Sequence, residues 1–300
     1  MILLAGGTGH LGGTLTEILA AGSDRIRILS RDPSRARVPA RVELVRGDVR
    51  VASSLETALV DVKTVISAVT GFGPGGSGPR QVDLVGNQNL IAAAAAAGVE
   101  HFILISIHGA SPDHPIELYR AKFMAEERLR SSGLDWTIIR PTVFMELWAG
   151  IVGDSLIKTG SATVFGRGEN PINFISVRDV ARFVEMAVAD HRLRGRTLEI
   201  GGPENLTLST VVEVVAASYK RPPKARHVPL TALRLGALVM GLFRPDLASL
   251  IQASVRMDSA DMSFDHAELN AEHPQIQLNR LEDVVRRQHD VTVGLRRRSA

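Results

Sequence analysis

The chain has 300 residues, of which 45% are apolar, 27 are glycine and none is cysteine. A chain of this length and apolar content can bury a large core without disulfide staples, which excludes a disordered protein and a small disulfide scaffold. The absence of cysteine excludes cysteine-zinc sites, iron–sulfur clusters and a thiol nucleophile, and it favours a cytoplasmic location. With 35 Lys and Arg against 32 Asp and Glu, the net charge of +3 does not indicate a nucleic-acid partner.

No segment of the sequence predicts export or a membrane span. The first five residues are an apolar run that leads directly into glycines, without a basic region or a cleavage site, so we expect no signal peptide. The longest later apolar segment, 230–243, has 14 residues and contains Arg234, whereas a spanning helix needs about 20 apolar residues. We therefore predict no membrane partner, and we interpret 230–243 as an amphipathic helix or helix pair in a substrate lid.

In the first half of the chain, predicted strands alternate with predicted helices. The strands are predicted over 1–5, 25–29, 42–45, 64–69, 101–106 and 136–140. The helices are predicted over 11–21, 54–60, 81–97 and 117–131. This alternation is typical of a parallel sheet with right-handed crossovers, so the predicted fold class is α/β, a doubly wound Rossmann sheet.

A glycine-rich turn, Gly6-Gly7-Thr8-Gly9-His10-Leu11-Gly12, lies directly between the first strand and the first helix. Glycines at 6, 9 and 12 allow a tight turn, a close approach of the backbone to a pyrophosphate, and close packing of the helix on the sheet. The N-terminus of the helix directs its unpaired N–H groups at the phosphate. The turn therefore predicts a dinucleotide site, the alternative being a turn without a ligand.

The residue that follows the second strand selects between cofactors. Arg31 lies 19 residues after Gly12, where an NAD-selective protein usually offers a carboxylate to the ribose 2′-hydroxyl. A basic residue there, with Arg35 close behind it, favours a 2′-phosphate, so we predict NADP(H); the alternative is that Arg31 only solvates a loop. Asp48, after the third strand, is placed to accept a hydrogen bond from the adenine amino group, unless it only belongs to a helix N-cap region.

Several later motifs occur in a family-specific order. They are Lys122, Glu126, the run Ser132-Gly133-Leu134-Asp135-Trp136-Thr137-Ile138-Ile139-Arg140-Pro141, and Asp179-Val180-Ala181. Together with the glycine turn they resemble the atypical short-chain dehydrogenase/reductases of the NmrA-like kind, over about residues 1–210. The resemblance implies a nucleotide-binding domain over 1–143 with a returning strand near 196–201, and a smaller substrate domain and lid over 144–195 and 202–300.

The resemblance also implies roles for individual residues. It implies pyrophosphate contacts for Gly6, Thr8, Gly9, His10 and Leu11, a 2′-phosphate contact for Arg31, a nicotinamide-ribose contact for Lys122, and a place near the nicotinamide for Pro141 and Thr142.

The catalytic residues of the superfamily are a Ser, a Tyr and a Lys, the last two being four residues apart on one helix. The lysine lowers the pKa of the tyrosine from about 10, so that the phenol can transfer the proton that accompanies hydride transfer. Here the corresponding residues are Ser106, Tyr119 and Lys122, and the last two are three residues apart. That spacing turns Tyr119 by about 100° relative to an i,i+4 pair, which moves it away from the nicotinamide.

Each of these three residues has another interpretation. Tyr119 could line the pocket or cover the helix start, Ser106 could be a small packing residue, and Lys122 could be a solvated lysine paired with Glu126. If Tyr119 is not the proton donor, His108 and His114 are the next candidates, because histidine titrates near neutral pH.

Aromatic side chains predict an apolar substrate pocket. Phe144 and Trp148 follow the sixth strand and are expected to overhang the nicotinamide, and Phe72 could close over the same cavity with His108 beside it. For Trp148, interdomain packing is the alternative. The nine histidines and 32 acidic residues show no recognisable metal-binding spacing, so no metal is predicted.

The sequence favours an NADPH-dependent oxidoreductase that delivers hydride to a carbonyl, an imine or an activated alkene of a small apolar molecule. Two alternatives stay open. One is a redox sensor or regulatory protein that holds NADP without turnover. The other is an isomerase or cyclase on the same fold, in which the nucleotide is structural.

Overall fold

The computed structural model describes residues 1–73, 76–241 and 245–298. The strands in chain order are β1 (Ile2–Ala5), β2 (Ile26–Ser30), β3 (Glu43–Arg46), β4 (Thr64–Ser67), β5 (His101–Ile105), β6 (Asp135–Pro141), β7 (Val143–Phe144), β8 (Ala162–Phe165), β9 (Ile172–Ile175), β10 (Arg196–Ile200), β11 (Asn205–Leu206) and β12 (Ala225–Val228). The helices are α1 (His10–Ala21), α2 (Asn87–Ala96), α3 (Glu117–Arg130), α4 (Met145–Thr159), α5 (Val177–Ala189), α6 (Leu208–Ser218), α7 (Leu230–Gly241), α8 (Pro245–Ser259), α9 (Ala267–Glu272) and α10 (Leu281–Arg298).

Seven strands form one parallel sheet in the order β10-β6-β5-β4-β1-β2-β3. The apolar runs of the central strands explain this arrangement, because β1, β2 and β5 are buried along their whole length, as strands of a sheet covered on both faces must be. The chain reverses its direction of winding at β1, which lies between β2 and β4. Ligands of such sheets bind at the carboxyl ends of the strands beside this reversal, and the prediction of a doubly wound Rossmann sheet is confirmed.

The predicted helix over 54–60 is wrong. The structure has two short 3-10 turns there, Ala52–Ser54 and Thr57–Leu59. The reason is local, because the Ser54 hydroxyl lies 2.7 Å from the Val51 carbonyl oxygen and 3.0 Å from that of Asp48. A serine that bonds nearby backbone competes with helix formation.

The predicted helix over 81–97 begins as a π-helical turn. Arg80–Gly86 has π geometry and continues into α2. Such turns are rare and occur often at functional sites. This one carries the buried carboxylate of Asp83.

Two compact units divide the chain. The first unit is Met1–Pro141 with Val180–Ile200, and the second is Thr142–Asp179 with Gly201–Ala300. The family resemblance implies that residues 144–195 belong to the second domain. In the structure, residues 180–195 belong to the first unit, and backbone hydrogen bonds attach them there. Gly195 N donates to the Trp136 carbonyl at 2.7 Å, and β10 then pairs with β6 along its whole length.

The first unit has a core between the sheet and the elements that follow β3, β4 and β5, namely the two 3-10 turns, α2 and α3. Leu3, Val65, Phe102 and Leu129 are fully buried in it. This core fixes the carboxyl ends of the strands, where the candidate site residues of this unit lie.

The second unit has small sheets, with strand orders β11-β9-β7 and β12-β8. Its core joins α4, α6 and α10, and includes Met145, Leu156 and Phe174, each fully buried. Thr207 caps α6 by accepting a hydrogen bond from Thr210 N at 3.0 Å. Of the predicted helix or helix pair over 230–243, the structure has one helix, α7, and residues 242–244 lie outside the described residues. The role of this segment as a substrate lid stays a prediction.

Among the described residues, no helix has the length and apolar content needed to cross a bilayer.

Candidate functional site

The glycine turn is folded tightly on itself. Gly6 has φ +88°, and a Cβ on it would lie 2.6 Å from the Ala68 carbonyl oxygen. A Cβ on Gly12 would lie 2.0 Å from the Gly6 carbonyl oxygen, so both positions need glycine. Gly9 N donates to the Gly6 carbonyl at 3.0 Å and closes the turn.

The tip of this turn is open to a ligand. Thr8, Gly9 and His10 are exposed, α1 begins after Gly9, and among the described residues no side chain caps its N-terminus. An uncapped helix N-terminus carries partial positive charge and unpaired N–H groups, which fit a pyrophosphate. The predicted contact residues Leu11 and Gly12 are buried in the first turn of α1, so only their backbone can serve this purpose.

Arg31 directly follows β2 and is exposed, as is Arg35. Because Ser30 pairs with Arg46, Arg31 lies beside the end of β3. Its positive charge contributes to lowering the pKa of Asp48. An exposed guanidinium at this edge can contact a phosphate at little desolvation cost.

Asp48 already has a partner that the sequence argument missed. Both carboxylate oxygens accept hydrogen bonds from Arg50 Nε, at 3.0 and 3.1 Å, and Oδ1 also accepts from the Arg50 backbone N–H. The hydrogen bond from Arg50 is the main reason that the pKa of Asp48 is lowered, against the opposing effect of burial. Arg50 also donates to Ser77 Oγ at 2.7 Å, in the glycine-rich loop over 70–79 between β4 and the π-helical turn. Asp48 also lies three residues before Val51, the N-cap of the turn that follows, so the alternative of an N-cap region residue stays open.

Lys122 is buried, with 5% of its surface exposed, and does not pair with Glu126. Its ammonium donates to the carbonyl oxygens of Val69 at 3.0 Å and Ile105 at 2.9 Å. It also lies 3.1 Å from Asp83 Oδ1, an ion-pair distance without hydrogen-bond alignment. Two carbonyl oxygens therefore accept hydrogen bonds from the ammonium and one carboxylate oxygen pairs with its charge, so that Lys122 links the ends of β4 and β5 to the π-helical turn.

Ser106 is the last member of a series of hydrogen-bonded side chains that we call the charge network: His108, Glu199, Arg140, Glu126 and Ser106. The Ser106 hydroxyl donates to Glu126, which is fully buried. Arg140 Nε and Nη2 donate to Glu126 at 2.9 and 2.6 Å, and Arg140 Nη1 donates to Glu199 at 2.8 Å. The hydroxyl of Ser106 is thus used inside the protein.

The other end of the charge network reaches solvent. His108 Nδ1 lies 2.7 Å from Glu199 Oε2, and 39% of the His108 side chain is exposed. Burial raises the pKa of Glu199, but the hydrogen bonds from His108 and Arg140 outweigh this effect, so its pKa is lowered. Because a carboxylate can only accept a hydrogen bond, Nδ1 of His108 carries the proton in this contact.

Tyr119 stacks on His114, with ring centroids 3.8 Å apart and an interplanar angle of 17°. His114 is buried and accepts a hydrogen bond from Ile116 N at 3.1 Å, just before α3. These contacts fit the alternative in which Tyr119 covers the helix start. Phe72, near the start of the glycine-rich loop, is half-buried; residues 74–75 of that loop lie outside the described residues.

The remaining predicted residues lie at and beyond the end of β6. Pro141 is the buried last residue of β6. In the second unit, the hydroxyl of Thr142 donates to Asn173 Oδ1 at 2.8 Å, and Trp148 packs partly buried against the core. Phe144 is half-buried as the residue before α4. The substrate contacts of Phe72, His108, Phe144 and Trp148 stay predictions.

Some residues of the site could have been found from the sequence and others could not. Glu199 is a carboxylate near the carboxyl end of a predicted strand, which is a usable signal. Asp83 carries no such signal, because its partner Lys122 is 39 residues away. Within the described ranges, no group of three or more His, Asp or Glu side chains could hold a metal ion.

The strand order of the parallel sheet and the glycine turn before α1 are those of a dinucleotide-binding protein. The sequence model of a family described as NAD(P)H-binding matches residues 6–191. The chain therefore belongs to the NAD(P)H-binding family, which confirms the predicted cofactor class and the family resemblance.

Two curated relatives are reductases. The chain is 28% identical over 250 residues to the NAD(P)H azoreductase of Xenophilus azovorans, covering 82% of each protein. It is 29% identical over 263 residues to the (4-alkanoyl-5-oxo-2,5-dihydrofuran-3-yl)methyl phosphate reductase of Streptomyces griseus, covering 85% of this chain and 86% of that one.

The fold is also that of the NADPH-dependent quinone oxidoreductase of Escherichia coli, solved in complex with NADPH. That structure is 20% identical, with a TM-score of 0.75, and covers 95% of this chain and 98% of its own. At this identity the likeness shows the fold alone.

Proposed function

We propose that the protein is an NADPH-dependent oxidoreductase of the short-chain dehydrogenase/reductase type. The observation that carries the proposal is the open glycine turn with the exposed Arg31 at the same edge of the sheet. The turn would hold the pyrophosphate through backbone N–H groups, and Arg31 would hold the 2′-phosphate that distinguishes NADP(H) from NAD(H). Bound there, the reduced nicotinamide supplies a hydride.

The acceptor is a small apolar molecule with an electron-poor double bond. We retain a carbonyl, an imine or an activated alkene as candidates, and the names of the two relatives add an azo bond and an unsaturated lactone to the panel worth testing. In each case one atom of the double bond takes the hydride and the other takes a proton.

His108 is the residue that we propose as the proton donor. Its exposed imidazole follows β5 at the carboxyl edge, and Glu199 fixes the proton on Nδ1. The imidazolium would donate its Nε2 proton to the acceptor, become neutral, and be reprotonated by solvent. Glu199 would act as a positioning residue, since it touches His108 and not the acceptor. Tyr119 and Ser106 are less suited, because one stacks on His114 and the hydroxyl of the other is bonded to Glu126.

The test is NADPH oxidation by the purified protein with a panel of azo compounds, quinones, ketones, enones and imines. We expect turnover with at least one acceptor, and a drop in kcat of about 100-fold for His108→Ala, with an unchanged Kd for NADPH. His191→Ala is the matched control, because that histidine is exposed in the same unit. If His108→Ala kept full activity and Tyr119→Phe were inactive, the proton donor would be Tyr119 and not His108.

A measurement independent of turnover tests Glu199. In ¹⁵N spectra, the neutral His108 ring of the wild type should be the Nδ1–H tautomer, and Glu199→Gln should allow the Nε2–H tautomer to appear. An Nε2–H tautomer in the wild type would remove the basis for this role of Glu199.

A second candidate function is a sensor that binds NADP(H) without turnover. It is favoured by the contacts of Ser106 and Lys122, whose polar atoms are used inside the protein. Tight NADPH binding without oxidation across the whole acceptor panel, including a metabolite extract, would support the sensor over the reductase.

A further inference from the structure

One stretch of the second unit is strongly basic. Residues 214–245 include six Lys or Arg and no Asp or Glu, whereas the whole chain has a net charge of only +3. The rest of the chain is therefore net negative. Such a local excess of one sign indicates a partner surface of the opposite sign.

The basic side chains of this stretch point into solvent. Lys220, Arg221, Lys224 and Arg226 are all exposed, in the run that leads from the end of α6 through β12. Arg221 donates to the Leu156 carbonyl oxygen at 3.4 Å. Among the described residues, none provides a carboxylate partner for these four cations, so their charge is not neutralised within the described part of the chain.

The helix that follows the basic run presents apolar side chains to solvent. Leu235 and Leu238 of α7 are 64% and 73% exposed, more than any other large apolar side chain among the described residues. Their spacing from Arg234 and Thr231 puts all four on one face of the helix. Leu233 and Ala237 lie on another face and are buried, so the exposure of the two leucines does not come from an unpacked helix.

We propose that the basic run 220–227 and the exposed face of α7 form a surface that binds an anionic lipid bilayer. The cations would lie against lipid phosphates, and Leu235 and Leu238 would enter the boundary between headgroups and acyl chains. The aliphatic part of Arg234 can lie along that boundary while its guanidinium stays at the phosphates. The prediction of no membrane partner was based on the length of 230–243, and length excludes spanning but not surface binding.

The leucines distinguish this partner from a nucleic acid. A phosphate backbone would recruit the same cations, but Leu235 and Leu238 offer it neither a hydrogen bond nor an aromatic ring for base stacking. An anionic bilayer uses both the charge and the apolar side chains. The inference is independent of the proposed reductase activity, because binding needs no turnover.

Co-sedimentation of the full chain with vesicles tests the proposal. We expect binding to vesicles of equimolar phosphatidylglycerol and phosphatidylcholine at low salt, weakening as salt is added, and no binding to phosphatidylcholine alone. The charge reversal Lys224→Glu with Arg226→Glu should weaken binding by about thirty-fold or more. Leu235→Gln with Leu238→Gln should weaken it by about ten-fold or more.

Matched controls separate this surface from general effects. Arg25→Glu with Arg128→Glu makes the same change in net charge at exposed sites of the first unit, and Leu147→Gln with Ile151→Gln changes exposed apolar residues of α4. Both control pairs should bind vesicles like the wild type, and retained NADPH binding with an unchanged melting temperature would show that each variant is folded.

Four results would overturn the proposal. The first three are no binding of the wild type to the anionic vesicles, equal losses in the control pairs, and loss through the charge reversal without any loss through the leucine pair. Tighter binding to a single-stranded RNA than to the vesicles would also overturn it, in favour of a nucleic-acid surface.

Discussion

Charged groups are exposed in one half of the sheet's carboxyl edge and buried and paired in the other half. Beyond β1 and β2, the glycine turn and Arg31 are exposed. Beyond β4, β5 and β6, Lys122 and Glu126 are buried, and each is bonded to several partners of the protein itself. The first half offers charge to a ligand, while the second uses charge to hold strand ends together. Substitutions in the first half should therefore change affinity, and substitutions in the second should change stability.

Removing Glu126 should have the largest effect. Glu126→Ala leaves Arg140 and the Ser106 hydroxyl without their carboxylate, and a broken buried pair costs about 3–5 kcal/mol of the free energy of unfolding. Glu100→Ala is the control, since its exposed carboxylate pairs with the exposed Lys63 at 3.0 Å, where only a small loss is expected. Urea unfolding measures both, and equal losses in the two variants would contradict the structural role of the charge network.

Lys122→Met should lower the free energy of unfolding by about 3 kcal/mol, because it leaves the Asp83 carboxylate buried without its cation. Adding Asp83→Asn should recover part of that loss, with a coupling of about 1 kcal/mol or more in a double-mutant cycle. Additive losses would contradict the ion pair. The Kd for NADPH of the double variant tests the ribose contact that the family resemblance implies, because that contact would not be rescued by Asp83→Asn.

Arg31→Ala should raise the Kd for NADPH by about 10- to 100-fold, the worth of one charge-assisted contact to phosphate. The Kd for NADH should stay within about two-fold of the wild type, because NADH has no 2′-phosphate. Isothermal titration with Arg128→Ala as the control checks this. An equal rise for both nucleotides would show that Arg31 does not read the 2′-phosphate.

The smallest effect is the pH dependence contributed by Glu199. Its pKa is lowered in the folded state, so its contribution to stability is present above the unfolded value of about 4.3 and is lost as the pH falls through the folded value. Glu199→Gln should therefore make the free energy of unfolding fall less steeply as the pH is lowered below about 4.3. At neutral pH it should lower the free energy of unfolding by less than Glu126→Ala does. An unchanged acid side would contradict the charge on Glu199.

Much of the nucleotide half could be predicted from the sequence, because its signals are local. The turn from Gly6 to Gly12 is contiguous, and the place of Arg31 follows from its distance along the chain after a recognisable strand. The parallel, doubly wound sheet itself follows from the alternation of strands and helices.

The other half depends on contacts between residues far apart in the chain. The alternative to a ribose contact pairs Lys122 with Glu126, one helical turn away. In the structure Lys122 pairs with Asp83, and Glu126 pairs with Arg140 and Arg130. Local spacing suggests the nearest opposite charge, but the packing of α3 against the π-helical turn decides which carboxylate is reached.

The central claim is that this chain transfers hydride from NADPH, and label transfer measures that directly. The protein is incubated with NADPH deuterated on one face of the nicotinamide, then on the other, together with the acceptor panel and a metabolite extract from the source organism. We predict that mass spectrometry finds deuterium in one reduced product with one of the two labelled cofactors, and that His108→Ala forms less of it. Tight binding of NADPH with no deuterium in any product would contradict the claim and leave the sensor function in its place.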